Sequence, residues 1–280
     1  MLSAAARVCV RSSVIPTWTG LRQLMIVPWA QLFQVGLAWL NLDQVSHLVW
    51  RATNAERNRE GLRSLERHAR LDRVAAAHSQ DMAVRGYFDH RDPEGNHAAD
   101  RVALRCRGLA VRGIGENIAR LAVVGPEASL AMQMVQMWMG SPGHRANILD
   151  SAWTHLGVGL WRRGGYVWAT QLFACLAAEL DGAVPGTLRQ GAVLPLRFRV
   201  YPPWNRPGEV EPIVRVPDPR SRIAHGHGYY GIGWYPAHCA WQGPMIWVRF
   251  AAKHGPGQYE IGLVKRHTGE YIPLLRAAVV

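Results

Sequence analysis

With 280 residues, 49% of them hydrophobic and only 19% charged, the chain has the composition of a folded protein, with room for one large domain or two small ones, and not of a disordered one. Its formal charge of +12 is almost wholly arginine, since Lys253 and Lys265 are the only lysines. A basic surface suits nucleic acid, anionic lipid or an acidic wall polymer, but the arginines are scattered and no nucleic-acid-binding motif is present, so no nucleic-acid partner is expected.

At the N-terminus, Arg7, Arg11 and Arg22 precede "LMIVPWAQLFQVGLAWLNL", residues 24–42, a run nearly long enough to cross a bilayer. Pro28, Gln31 and Gln34 interrupt it, and no small-x-small cleavage site follows cleanly. An export signal, an uncleaved anchor and a buried amphipathic helix all fit. Residues 1–46 are assigned to such a signal or membrane-anchor segment.

From residue 47 the pattern turns helical, with a Thr53-Asn54 cap candidate opening "TNAERNREGLRSLERHARL". Leu71, Val74, Ala75, His78 and Met82 form one helical stripe that ends near Gly86. "YFDHRDPEGN" reads as a turn-rich loop carrying His90, and "RGIGENIAR" as a second, with Glu116 and Asn117 leaving a Gly-x-Gly bend. Pro126 stands at the first position of the next helix, whose buried face is Leu130, Met134, Met137 and Trp138 and whose end is Gly140. Ser141 and Pro142 then open the short piece "PGHRANIL", in which Ile148 and Leu149 anchor the core and His144 sits at the exposed start. Leu156, Val158 and Leu160 alternate, "RRGG" turns, and "YVWATQLFA" returns as a hairpin. Helices around a hairpin predict an α+β fold over residues 47–181.

Beyond about residue 182 the composition changes: ten of the 17 prolines lie between Pro202 and Pro273. Leu194, Leu196, Phe198 and Val200, then Val210, Val214 and Val216, then Ile246, Val248 and Phe250 predict short strands of a small all-β, sandwich-like module over 182–280. Within it, "AHGHGYYGIGWYPAHC" offers two alternative readings: a zinc site from His225, His227, His238 and Cys239, or a sugar-stacking surface from Tyr229, Tyr230, Trp234 and Tyr235. Cys9, Cys106, Cys175 and Cys239 form no CxxC pair; Cys106 with Cys175 is the disulfide to test first, both falling in one predicted domain.

Read together, Asn54-x-x-Arg57, Gly61-Leu62, "AAAHSQDMA", "YFDH", "GENIA", "WMGSPGHRANIL", "HLGVG" and "GYVWATQLF" resemble, in order, a bacterial CAP domain, the superfamily of cysteine-rich secretory proteins, antigen 5 and plant pathogenesis-related-1 proteins. The resemblance covers residues 54–173 and implies an α-β-α sandwich with a shallow cavity lined by two histidines and acidic side chains, where some members hold zinc. Carried onto this sequence, it assigns His90, Glu116 and His144 to the cavity. A further family glutamate, expected after the helical tryptophan, falls on Met139-Gly140-Ser141 and is missing.

Two imidazoles and one carboxylate suit a borderline metal such as zinc, with His90 and His144 as its ligands and a position left for water. They equally suit proton exchange near neutral pH. His78, Asn117, Ser141, Arg145 and His155 complete the candidate cavity set, although His78 also reads as a core histidine, Ser141 as a cap and His155 as solvent-facing. No G-x-S-x-G elbow or thiol-hydrolase motif is present. The sequence therefore predicts a secreted or envelope-associated protein that binds a lipid, wall glycan or protein ligand, with possible attachment through 24–42. The rival reading is a hydrolase of wall or ester substrates using Glu116, His90 and His144.

Overall fold

A computed structural model describes residues 40–226 and 229–280. The first helix, α1 (Leu42–Arg59), is capped by Asn41, whose side chain accepts from the Gln44 N–H, with Asp43 in its first turn. The helix therefore starts well before Thr53-Asn54. Those two residues lie inside it: the Thr53 hydroxyl donates to the Val49 carbonyl, and the Asn54 side chain brackets both backbone groups of Leu65. Residues 42–46, assigned above to the leader, thus belong to the first described helix. Residues 24–39 and Cys9 lie outside the described residues. Among the described residues no helix is long and apolar enough to cross a membrane.

After β1 (Glu66–Arg67), α2 (Ala69–Arg85) buries the expected stripe and stops at Gly86, which takes a left-handed φ of 77°. A helix not anticipated from the sequence follows, α3 (Ala98–Arg105). The "RGIGENIAR" segment is not a turn: β2 (Leu109–Ala122) continues through it, with a register shift against its sheet neighbour between Val111 and Gly113. Its glycines serve close packing instead, because a Cβ at Gly115 would come within 2.9 Å, and one at Gly113 within 3.2 Å, of the Trp153 indole. In α4 (Glu127–Met139), Pro126 is the N-cap, and Ala131 and Val135 are buried in place of Met137, which is exposed. Then come α5 (Pro142–Leu149) and the hairpin β3 (His155–Arg163) and β4 (Tyr166–Leu180).

Both faces of β3 are covered, and each by a different chemistry. Leu156, Val158 and Leu160 join the core under α1 and α4. Gly157 and Gly159 face α2, whose backbone rests directly on the strand: a Cβ on Gly159 would lie 1.9 Å from the Ala76 nitrogen, and one on Gly157 2.4 Å from Leu71. The Asp72 carboxylate fixes the contact by accepting the Val158 N–H at 2.7 Å. The result is the expected α-β-α sandwich.

The C-terminal strands are β5 (Thr187–Leu188), β6 (Val193–Val200), β7 (Val210–Arg215), β8 (Arg222–Gly226), β9 (Tyr229–Ile232), β10 (Trp234–Pro236), β11 (Cys239–Gln242), β12 (Met245–Ala251), β13 (Gly257–Lys265) and β14 (Tyr271–Val279). A seven-stranded sheet runs β1-β3-β4-β6-β12-β11 with β2 also on β4; a five-stranded sheet runs β10-β7-β13-β14-β5. Phe198, Ile246, Val248 and Phe250 from the first pack with Val214, Tyr259 and Ile261 from the second around Trp204, giving the expected sandwich. The sandwich borrows its first sheet from the α/β half: Ala178, Glu179 and Leu180 of β4 pair with Val200, Arg199 and Phe198 of β6. Residues 40–280 accordingly form one compact unit. Cys106, Cys175 and Cys239 are free thiols, so the Cys106–Cys175 disulfide does not form.

Because backbone cannot move aside as a side chain can, Gly159→Ala is expected to lower stability by about 3 kcal/mol or more. The control, Gly165→Ala in the β3–β4 turn, meets nothing within 4 Å and is expected to change stability by under about 1 kcal/mol. Urea denaturation of the two variants checks the difference.

Candidate functional site

Glu116 lies midway along β2, a strand whose sheet partner is β4 alone, and its carboxylate is only 5% exposed. A buried carboxylate needs donors, and three segments supply or crowd it. Arg101, itself buried on α3, donates its Nη2 to Glu116 Oε2. His90, on the loop after α2, holds its Nδ1 2.8 Å from Glu116 Oε1. From α2, His78 Nε2 lies 3.9 Å from Glu116 Oε2 and 3.1 Å from the Asp89 carbonyl. Arg101 also donates its Nη1 to the carbonyls of His90 and Asn96, so one guanidinium fixes both the carboxylate and the loop that carries the histidine.

His144 arrives from the opposite side. Asn117 donates its amide to the His144 carbonyl and to Gln171 Oε1, and Asn147 donates to the Glu116 carbonyl and to Asn117 Oδ1. These asparagines stitch α5 onto β2 and set His144 near His90. The three titrations differ for physical reasons. The hydrogen bond that His90 donates to Glu116 raises the pKa of His90, against its partial burial. Burial lowers His78, with Glu116 opposing. Burial also lowers His144, and a positive His90 lowers it further. His90 is half exposed, with its Nδ1 engaged by Glu116.

The structure thus brings together His90, Glu116, His144, His78 and Asn117, with His78 buried beside Glu116. Ser141 occupies the N-cap position of α5 without a side-chain capping bond. Arg145 points away and pairs with Glu60 at 2.9 Å. His155 belongs neither to the cavity nor to solvent: it is buried across β4 from Glu116, its ring 4.8 Å from that of Tyr201 and 5.7 Å from that of His68. A β3 residue pointing into the seam with the C-terminal sandwich cannot reach the open edge of β2. Arg101 has no place in the sequence-based set. Its sole sequence signal is Asp100 three residues after His97, a capping box that marks the start of α3. Side chains of His225 and His227 lie outside the described residues.

The donor set does not fit a resident zinc of the usual kind. Both Glu116 oxygens are engaged, one by a guanidinium that competes with a cation, and among the described residues no three His, Cys, Asp or Glu side chains are arranged so that they could hold a metal ion.

Helices on both faces of a curled sheet, with the His90–Glu116 pair at its open edge and His144 nearby, make an α-β-α sandwich. The profile of the Cysteine-rich secretory protein family, CAP, matches residues 50–173, and this segment is a CAP domain. Among relatives, the uncharacterized protein YkwD of Bacillus subtilis (strain 168) is 40% identical over 119 residues, which are 42% of this chain and 43% of YkwD. The uncharacterized membrane protein YlbC of the same organism is 39% identical over 111 residues, 40% of this chain and 30% of YlbC. The matches therefore span less than half of these relatives. A solved extracellular protein containing an SCP domain from Bacillus anthracis str. Ames is 31% identical, with a TM-score of 0.40, over 47% of this chain and 40% of that one.

Glu116→Gln leaves the buried Arg101 guanidinium without its counter-charge and is expected to cost about 3–5 kcal/mol. Urea denaturation reads the loss, and NMR titration should show the His90 pKa falling toward its ordinary value. His155 makes an independent prediction. Burial lowers its pKa from 6.5 to about 4, helped by His68 and opposed by Glu179. Below the ordinary value the unfolded chain takes up a proton that the native state refuses, so this group removes up to about 3 kcal/mol of stability as pH falls to its folded pKa. His155→Phe should flatten that part of a stability–pH curve.

Proposed function

We propose that the protein is an exported or envelope-associated CAP-domain protein that acts by binding, and that His90, Glu116 and His144 hold a polar group of its ligand. The observation that carries this reading is the Arg101–Glu116–His90 chain of contacts, which fixes one half-exposed imidazole in position with His144 nearby. Beyond the His90 loop lies a groove of about 400 Å³ lined by Tyr87, Phe88, Arg120, Arg163 and Trp168. Aromatic faces beside arginines suit a glycan bearing acidic groups, which favours a wall glycan over a lipid or a protein. The arginines ahead of residues 24–42, the secretory name of the family and the membrane-protein name of YlbC support an envelope location. The cavity is read without a resident zinc.

One observation favours the hydrolase reading: two neighbouring imidazoles with pKa values pushed apart are suited to acid–base work. Among the described residues neither nearby serine serves them as a nucleophile. Ser79 is buried and donates to the Gly159 carbonyl, and Ser141 makes no hydrogen bond to either imidazole among the described residues.

Calorimetric titration of the full chain with soluble peptidoglycan fragments should show binding that weakens about tenfold in His90→Ala and again in His144→Ala. Affinity unchanged in both variants would remove the cavity from the function. Fragment cleavage by the natural protein that is lost in His90→Ala and His144→Ala, with the fold intact, would replace binding by hydrolysis.

A further inference from the structure

The C-terminal sandwich carries a second hollow that shares no residue with the CAP cavity. A cleft of about 630 Å³ opens between β8, β10 and the end of β12, and Arg222, Arg249, Lys253, His238 and His254 line it. No aspartate or glutamate does. Several other arginines on this half have found carboxylates: Arg215 and Arg276 share Glu260, and Arg266 faces Glu211. Arg222, Arg249 and Lys253 form no ion pair among the described residues, and the Arg222 guanidinium instead lies 3.6 Å from the centroid of the Tyr230 ring. His254 adds an unmet donor or acceptor: its Nε2 is buried with no hydrogen-bond partner among the described residues. Three uncompensated cations around one cleft repel one another, and an anion would relieve them.

The cleft continues into an apolar groove. Val193, His238 and Arg249 belong to both, and beyond them Pro195, Ala240, Trp247 and Val248 enclose about 390 Å³. On the adjoining hairpin, Tyr229 and Ile232 are 76% and 59% exposed. A cationic end, an apolar continuation and an apolar, aromatic rim match one kind of molecule.

We propose that the two hollows form a single site for an anionic amphiphile, its carboxylate or phosphate head among Arg222, Arg249 and Lys253 and its hydrocarbon tail along Val193 and Trp247. Head and tail each contribute, so neither alone should bind well. The same chemistry is offered by a free amphiphile and by an anionic lipid at a bilayer surface.

The test uses the full chain and three probes below any micelle-forming concentration: dodecyl phosphate, inorganic phosphate and dodecanol. Calorimetry, with Trp247 contributing to a fluorescence change, is expected to show dodecyl phosphate binding about tenfold or more tighter than either other probe. The double variant Arg222→Gln, Arg249→Gln should remove that advantage while circular dichroism stays unchanged and melting falls by no more than the loss of the Arg222–Tyr230 contact, since neither side chain holds an ion pair among the described residues. If the double variant does not fold, Lys253→Gln, an exposed position, should still weaken dodecyl phosphate several-fold. Vesicles of phosphatidylglycerol against phosphatidylcholine separate the two sources. Because natural and variant chains carry the same N-terminal segment, only the difference between them is read. Variant-sensitive binding to the anionic vesicles assigns a bilayer lipid; variant-sensitive binding of dodecyl phosphate without vesicle binding assigns a free amphiphile. Equal affinity for all three probes, or for natural and variant chains, would overturn the proposal.

Discussion

A carboxylate removed from water is stable only while its charge is answered, and the CAP cavity is organised around that requirement at Glu116. The guanidinium of Arg101 answers it from α3, and the same side chain ties down the carbonyls of His90 and Asn96. The loop between α2 and α3 thereby acquires a fixed conformation without secondary structure of its own. The position of the His90 imidazole follows from this, and so does its raised pKa. On the other side of β2 the corresponding network is neutral. Asn117 and Asn147 use their amides to hold α5 against the strand, so His144 is placed by hydrogen bonds that carry no charge. The two histidines shift in opposite directions because His90 bonds the Glu116 carboxylate, whereas His144 is partly buried and faces the positive His90.

The sheet behind the cavity imposes the second constraint. With α1 and α4 on one face and α2 on the other, β3 can be close-packed on both sides only if one set of positions has no side chains. Gly157 and Gly159 meet that condition, and Leu156, Val158 and Leu160 fill the other face. Helix α2 is held at backbone distance from the strand, and His78 is brought beneath Glu116 as a result.

Much of this is legible in the chain. The apolar stripe of α2, the α4–α5 break at Gly140 and the β3–β4 hairpin all follow from periodicity and turn residues, because in these elements local preference and tertiary packing agree. The alternation at Leu196, Phe198 and Val200 and at Ile246, Val248 and Phe250 likewise announces the sandwich. What misleads are residues whose local preference is overruled. Gly113 and Gly115 look like a bend, yet they lie in a strand, where the Trp153 indole packs against both and leaves too little room for a β-carbon at Gly115. Thr53-Asn54 has the chemistry of a cap, yet uses that chemistry inside a helix, bonding Val49 and Leu65. Arg101 carries no local mark of burial, since its partner Glu116 stands on another element. The histidines of the cavity are found through motif order, whereas His155 is misplaced because a strand's side-chain direction cannot be assigned before its sheet neighbours are known.

The 15 residues of β4 serve both halves of the described protein: β2 and β3 pair along most of its length, and β6 takes its last three positions. A proteolytic cut or stop codon just after Leu180 would not release a tidy CAP domain. It would strip the cover from Ala177 and Ala178, leave backbone donors and acceptors dangling at a sheet margin, and create a surface that pairs readily with another copy. The chain's two architectural halves are in this sense inseparable, and any version of the α/β half that stands alone must finish that margin by some other means.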